Sequence, residues 1–431
     1  MTDTIFAVSS GAPPAAIAVV RISGAYAFAA AQALGGRLPE PRRAGLRRLR
    51  DPATGETLDH ALVLLFPGPD SATGEDIAEL HLHGGRAVVR AVEAAIGTVP
   101  GCRPAEAGEF TRRALEAGRI DLTEAEGLAD LLAAETEGQR RAALRSAEGG
   151  LRRTIDHWTT QAVGLAAMIE AAIDHSDEAD AADEAGILAA VQAGCRALAD
   201  DIAAVLAQPP VERLRDGIRV ALVGPPNSGK STLFNAMVGR DAAIVSPIAG
   251  TTRDRIEAPV VRNGIAWLLT DTAGLAEQTD DPIEAIGIAR TRESAQDADI
   301  VLWLGDDAPD VAYESLVLVH PRRDLPGREQ VPEGRVAATA SLPGGEGEVW
   351  RALTEQAEHL LPRPDLPTLN ERQRQLCCDA QRHLCDAADA GDPLILADEL
   401  RQTCAVFDRI TGRAHVEAVL DGLFGRFCIG K

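Results

Sequence analysis

The run Gly224-Pro-Pro-Asn-Ser-Gly-Lys-Ser231 constrains this chain more than any other segment. It satisfies the G-x-x-x-x-G-K-[ST] pattern and lies between an apolar strand, "IRVALVG" (218–224), and a helical stretch, "STLFNAMVG", closed by Gly239. Glycines let backbone N–H groups approach phosphates closely, and the helix N-terminus that follows adds positive potential. Lys230 is then placed to reach the β- and γ-phosphates and Ser231 to ligate Mg²⁺, with Asn227, Ser228, Gly229 and Thr232 lining the same loop. A phosphate loop of this kind belongs to an α/β domain with a strand–loop–helix unit at its centre.

The segments downstream supply the rest of a nucleotide switch. "SPIAGTTRD" contributes Ser246, Pro247, Ile248, Ala249 and Gly250, then paired Thr251 and Thr252, whose hydroxyls can join a Mg²⁺ shell and sense a γ-phosphate. "RIEAPVVRNGIAWLLTDTAG" predicts two strands joined by a tight Asn263-Gly264 turn. It ends in Asp271-Thr272-Ala273-Gly274, where Asp271 is placed to support the metal and the Gly274 N–H to contact the γ-phosphate. No glutamine follows; the chain continues Leu275-Ala276-Glu277, so Glu284 is the candidate for orienting the attacking water. Where N-K-x-D would read guanine, the chain has Pro321-Arg322-Arg323-Asp324. Asp324 can accept from the N1–H and N2–H₂ edge of guanine, but Pro321 cannot supply the bracing amide. "AATAS" (337–341) is expected to bring a backbone amide near the base.

Around this segment the texture divides the chain into four stretches. Residues 1–118 alternate strand-like runs (15–22, 60–66, 76–83) with helical patterns (24–35, 84–97, 109–117), an α+β domain. Residues 119–216 and 363–431 are helical, and the α/β segment 217–362 is inserted between them at Pro-rich joints. Thr123 and Glu126 are expected to form a capping box. The stretch between "IVLWLGD" and "SLVLVHP" is too short for a full helix, so that crossover is expected to be truncated.

Charge excludes one simple class. The chain carries −22, divided as −1, −10, −9 and −2 over the four stretches, so no domain has the basic surplus that binds nucleic acid by counterion release. An RNA substrate would need a partner or a small local patch. Seven cysteines without a C-x-x-C pair predict reduced thiols in a cytoplasmic protein, and no membrane span or signal peptide is expected. Only Lys230 and Lys431 are lysine among 43 basic residues, which marks both for roles that a planar guanidinium cannot fill.

Longer matches make a family resemblance specific. "VVRISG" (19–24), "FPGPDSATGEDIAELHLHGG" (66–85), "PAEAGEFTRRALEAGRIDLTEAEGLADLL" (104–132), "GRDAAIVSPIAGTTRD" (239–254), "DTAGL" (271–275) and the terminal "FCIGK" together resemble the MnmE (TrmE) family of bacterial tRNA modification GTPases. The resemblance implies an N-terminal folate-binding-like domain, a helical domain and an inserted Ras-like P-loop GTPase domain. It implies 5-formyltetrahydrofolate contacts at Arg21, Glu79, Arg119 and Lys431, and K⁺ at Asn227, Ser246, Ile248 and Thr251. It further implies Mg²⁺ at Ser231 and Thr252, a water-positioning role for Glu284 and a terminal cysteine at Cys428. The implied partners are a second copy of the chain, an FAD-dependent protein of the MnmG (GidA) type in a heterotetramer, and tRNA.

The reaction implied is the formation of 5-(carboxymethyl)aminomethyl or aminomethyl groups at C5 of the wobble uridine, with a tetrahydrofolate one-carbon unit. Two other classes compete. A ribosome-assembly GTPase would carry a basic RNA-binding module, against which the −10 helical stretch argues. A folate-dependent one-carbon transferase would use its NTPase domain only for regulation. For Lys431 to act at a folate site, the chain end must fold back against residues 1–118.

Overall fold

The computed structural model of the chain describes residues 3–174, 181–239, 256–272, 296–309, 311–363, 366–414, 417–425, 427 and 429–430. Contacts divide it into two units, Met1–Ala129 with Asp408–Lys431, and Asp130–Phe407.

The first unit is built on β1 (Thr4–Val8), β2 (Ile17–Ser23), α1 (Ala27–Gly35), β3 (Gly45–Arg50), β4 (Thr57–Phe66), β5 (Ile77–His83), α2 (Arg86–Gly97), β6 (Cys102–Pro104) and α3 (Glu109–Glu116). The strands form one sheet in the order β3-β4-β5-β2-β1-β6, antiparallel except where β1 meets β6. Period-2 alternation gives this sheet two different faces. Val20, Ile22, Val63, Leu80 and Leu82 point into a core shared with Val92 and Ile96 of α2. The opposite face holds a smaller cluster of Ile5, Ala7, Ala105 and Phe110.

Three of these strands, β1, β3 and β6, go beyond the expected elements. The edge strand β3 buries only Leu49 among arginines, so its sequence carries little apolar alternation. The next helix, α4 (Leu122–Ala133), starts earlier than its expected cap. Asp121 Oδ1 accepts from Glu124 N at 2.9 Å while Glu124 Oε2 accepts from Asp121 N at 2.7 Å, so the box is Asp121/Glu124. Thr123 is instead buried inside the helix and donates to Asp121 Oδ1 at 2.8 Å. A carboxylate at the cap complements the helix N-terminus better than a hydroxyl does, and the same spacing serves it two residues earlier.

In the second unit, α5 (Glu137–Ala147), α6 (Gly150–Asp174) and α7 (Ala181–Leu206) lead through the short α8 (Glu212–Arg215) to a second sheet. Thr136 and Gln139 form a complete capping box at the start of α5. The sheet contains β7 (Ile218–Val223), with α9 (Lys230–Val238) following it, then β8 (Ile256–Arg262), β9 (Ile265–Asp271), β10 (Ile300–Leu304), β11 (Leu316–Pro321) and β12 (Val336–Ala338). Their order is β12-β11-β10-β7-β9-β8, parallel except for β8. The β8–β9 hairpin turns at Asn263 and Gly264, both at positive φ, as a two-residue turn requires. Residues 305–309 and 311–315 between β10 and β11 contain no helix, which is the truncated crossover. Trp303 and Tyr313 pack on the strand face there, against Ala221, Val223 and Val301.

Three helices follow: α10 (Gly347–Leu360), which packs on the sheet through Val349, Trp350 and Leu353, then α11 (Glu371–Asp389) and α12 (Pro393–Thr411). α11 lies along α7, so a helix from before the second sheet and one from after it pack together. α13 (Glu417–Phe424) returns to the first unit. Among the described residues no helix is long and apolar enough to cross a membrane.

Candidate functional site

β7 lies between β9 and β10, so the chain leaves it toward one side of the sheet and later crosses to the other. Ligands of open α/β sheets bind beyond the strand ends at such a switch point. The loop that follows β7 is Gly224–Gly229. At Gly224, with φ of 156°, a Cβ would fall 2.4 Å from the Leu304 carbonyl oxygen, so only glycine lets β7 pass β10 this closely. Lys230 opens α9, is buried, and its Nζ donates to the carbonyls of Gly224 and Pro225 at 3.0 Å each. The ammonium is thus folded over its own loop, and the two carbonyls are acceptors that a phosphate can replace.

Asn227 stands at φ of 59°, and Ser231 and Thr232 are exposed at the start of α9. Ser228 Oγ is buried with no hydrogen-bond partner. Leaving such a hydroxyl unpaired costs about 1–3 kcal/mol, and an anionic oxygen at the loop would remove that cost. The loop therefore fits a nucleotide phosphate. Asp271 ends β9 and is buried, and the next residue, Thr272, donates from Oγ1 to the Leu222 carbonyl at 2.6 Å, tying β9 to β7.

The expected base-reading loop starts at the end of β11. Asp324 Oδ2 accepts from Ser341 Oγ at 2.5 Å, so the "AATAS" segment meets Asp324 through a side chain. Pro321 has no amide to offer, and other groups brace the loop. Arg328 Nε donates to the Pro321 carbonyl at 3.0 Å, and its Nη2 pairs with Asp306 at 2.8 Å. His320, buried beneath, places Nδ1 2.7 Å from Asp306 Oδ1 and Nε2 3.1 Å from the Arg328 carbonyl. Arg322 Nη2 donates to the Asn227 carbonyl at 2.5 Å, linking the base-reading loop to the phosphate loop. Arg328 is not among the sequence-derived site residues, and the side-chain contacts of Arg322 and Ser341 are not legible there, because partners 7 to 95 positions apart meet only in the fold.

In the first unit, Arg21 on β2 lies directly opposite Glu79 on β5. Its Nε and Nη2 donate to Glu79 Oε1 at 3.1 and 3.0 Å, and the guanidinium lies 5.9 Å from the centre of the Phe110 ring. His81 Nε2 is 3.2 Å from Glu79 Oε2. This gives the sheet face a part-buried carboxylate, a guanidinium and an imidazole packed over the buried Phe110 ring, a set of hydrogen-bonding groups suited to a polar heterocycle. Arg119 lies by a different partner, 4.0 Å from Asp70.

The chain end docks on this unit. Ile429 bridges Ala107, and Gly430 O accepts from Ser9 Oγ at 2.7 Å. A Cβ at Gly430 would lie 1.9 Å from the Val8 carbonyl oxygen, so the glycine of the tail allows its close approach to β1. Ser246, Pro247, Ile248, Ala249, Gly250, Thr251, Thr252, Ala273, Gly274, Glu284, Cys428 and Lys431 lie outside the described residues.

Beneath the same sheet, Arg113 is buried and pairs with Asp3, Glu75 and Glu109 at 3.0–3.1 Å. The hydrogen bond from Arg103 holds the Asp3 carboxyl below its ordinary value. Burial pushes Glu109 upward, but bonds from Arg103, the Glu106 N–H and Arg113 outweigh it and leave its pKa lowered. Among the described cysteines, burial pushes the Cys195 thiol up to about 11 and Cys377 up to about 12, as expected of unreactive core thiols.

Comparison with known proteins covers the whole chain. The family described as "GTP-binding protein TrmE N-terminus" matches residues 4–119, and the "MnmE helical domain" matches residues 122–428. A tRNA modification GTPase MnmE of Erythrobacter litoralis is 53% identical over 431 residues, covering 100% of both chains. Its counterpart in Rhizorhabdus wittichii is 54% identical over 433 residues, covering 100% of this chain and 97% of the relative. Among solved structures, Era of Aquifex aeolicus bound to GDP and AlF4⁻ is 22% identical, covers 41% of this chain and 69% of its own, and has a TM-score of 0.25. The G domain of the T. maritima FeoB iron transporter is 22% identical, covers 32% of this chain and 98% of its own, and has a TM-score of 0.23.

Proposed function

The chain belongs to the MnmE family of tRNA modification GTPases, and from that premise we propose that it couples GTP hydrolysis to modification of the wobble uridine, position 34. The observation that carries the GTPase part is the Gly224–Ser231 loop at the sheet's switch point, with Lys230 folded over it. Lys230 would leave the Gly224 and Pro225 carbonyls for the β- and γ-phosphates, and Asp324, held by Ser341, would read the guanine edge. Ser231 and Thr252 would ligate Mg²⁺, with Asp271 behind it, and Asn227, Ser246, Ile248 and Thr251 would hold K⁺. Bound there, the two cations supply positive charge where negative charge develops on the phosphates. Glu284 would orient the water. We take residues 217–362 as the inserted GTPase domain.

The folate part rests on the open face of the first sheet. Arg21, Glu79, Arg119 and Lys431 would bind a reduced folate such as 5-formyltetrahydrofolate, which supplies the one-carbon unit; the docking of Ile429 and Gly430 on the same unit supports this reading. Cys428, in that tail, is the candidate for a further chemical role. The chain would act as a homodimer with an FAD-dependent MnmG-type partner in a heterotetramer, forming 5-(carboxymethyl)aminomethyl or aminomethyl groups at C5 of uridine 34 in the cytoplasm.

The deciding experiment is a deletion strain whose tRNA nucleosides are read by mass spectrometry. Loss of the C5 wobble groups, restored by the chain but not by its Lys230→Ala form, is the expected result. Wobble groups at their normal level in the deletion strain would overturn the proposal. Turnover should also be faster in K⁺ than in Na⁺ and should rise with protein concentration; equal rates in both salts at every concentration would remove the dimer and its ion.

A further inference from the structure

We propose that the arginine-rich edge of the first sheet, residues 37–50, is the surface that holds the tRNA phosphate backbone; this rests on the tRNA reading above. Six arginines fall in this run, Arg37, Arg42, Arg43, Arg47, Arg48 and Arg50, against the single acid Glu40, in a chain whose net charge is −22. The fold collects them along one border: Arg37 follows α1, Arg42 and Arg43 precede β3, and the other three lie on β3, the outermost strand of its sheet. All but Arg47 are exposed.

Their number in one short run, together with their partners, distinguishes them. Arg47 Nε donates to the Arg37 carbonyl at 2.5 Å, Arg48 Nε to His60 Nε2 at 3.2 Å, and Arg50 Nη1 to the Gly55 carbonyl at 3.1 Å. Arg42 donates to the Asp70 carbonyl. Among the described residues, only Arg43 of the six has a carboxylate partner, Glu40 at 3.4 Å, and both side chains are more than three-quarters exposed, so that pair is weak. Elsewhere many arginines meet acids: Arg140 and Arg141 pair with Glu137, Arg113 with three carboxylates and Arg328 with Asp306, while Arg86, Arg335 and Arg374, far apart in the chain, bond carbonyls. Along β3, neutral acceptors orient the guanidiniums and leave their charge uncompensated.

That arrangement suits phosphates. A guanidinium presents a planar fork that bonds two phosphate oxygens at once. Arg48 and Arg50 lie two residues apart on one strand, a step of about 7 Å, so an extended polyanion can meet them in succession. The segments from 119 to 362 carry a net −19 and repel RNA, which leaves this border as the favourable approach. Charge on an edge strand also blocks strand-to-strand aggregation, but either sign serves that purpose. Six cations with one acid go beyond it.

The test uses the full-length protein, a tRNA transcript with uridine 34, and filter binding at salt between about 50 and 200 mM. Replacing Arg43, Arg48 and Arg50 together by Gln should weaken binding at least tenfold. It should also lower the slope of log affinity against log salt by about 2–3, the contribution of three phosphate contacts. GTP turnover should not change. Lysine at the same three positions should restore most of the affinity and the slope, which a merely structural role would not predict. Unchanged affinity and slope in the Gln protein would overturn the proposal, as would poly-glutamate binding that depends on these arginines while tRNA binding does not. If the Gln protein binds tRNA normally while the deletion strain lacks its wobble groups, this surface is wrong and the function stands. Normal wobble groups in the deletion strain would instead remove the function.

Discussion

The two six-stranded sheets of this chain build their candidate sites in opposite ways. The second sheet is parallel but for one strand, and its site lies at the strand ends, made of backbone, glycine and one lysine. The first is antiparallel but for one pairing, and its site lies on a face, made of side chains that meet across strands. A parallel sheet is covered on both faces, so its open positions are the loops beyond the strands. An antiparallel sheet can leave one face uncovered, and there charged side chains must pair with each other or with a ligand. A phosphate site can therefore be written in one contiguous motif, whereas a sheet-face site is dispersed along the chain.

The sharpest break of this comparison is Lys230→Ala. Removing the charged donor should cost about 3 kcal/mol or more of triphosphate affinity, about a hundredfold, by titration with a fluorescent nucleotide. Folate binding at the other sheet should be untouched. Equal loss at both sites would show that the sheets do not work separately.

An effect of similar size is expected at the buried ion network. Arg113→Ala leaves Asp3, Glu75 and Glu109 without their shared partner and should destabilise the first unit by about 3–5 kcal/mol, read by denaturant unfolding. The same network sets an acid limit. Asp3 and Glu109 have lowered pKa values, so their stabilisation is complete above their ordinary values of 3.8 and 4.5 and declines as pH falls below these. Unfolding of the first unit that is flat from pH 6 to pH 3, on a scale of about 0.5 kcal/mol, would refute that assignment.

Smaller effects separate the side-chain contacts. Arg21→Ala should weaken reduced-folate binding about tenfold, the value of one charge-assisted hydrogen bond, with GTP turnover unaffected. An equal effect on both would join what the comparison divides. Asp324→Asn should move nucleotide preference from GTP toward XTP, whose 2-oxo group suits an amide donor; an unchanged preference would place base reading elsewhere. The smallest change is expected for Ser341→Ala, which removes the bond on Asp324 and should cost GTP affinity about 0.5–1.5 kcal/mol, or roughly 2- to 13-fold.

The amino-acid sequence by itself determined the local features. The phosphate loop, the Asn263-Gly264 turn, the close of α9 at Gly239 and the missing crossover helix all depend on residues within a few positions of each other. Backbone conformation and short-range hydrogen bonding decide such features, and residue type reports both. Only the tertiary structure decided the rest. It moved the α4 cap to Asp121, whose carboxylate meets the Glu124 N–H, and left Thr123 buried inside the helix. It placed β3 at an edge, where one buried leucine suffices and the arginines stay in water. It set Arg328 and His320 beneath Pro321, gathered three carboxylates around Arg113 from positions 3, 75 and 109, and laid Gly430 against β1. These contacts join residues up to 421 positions apart, and their energy comes from desolvation and charge pairing that exist only once the sheets have formed.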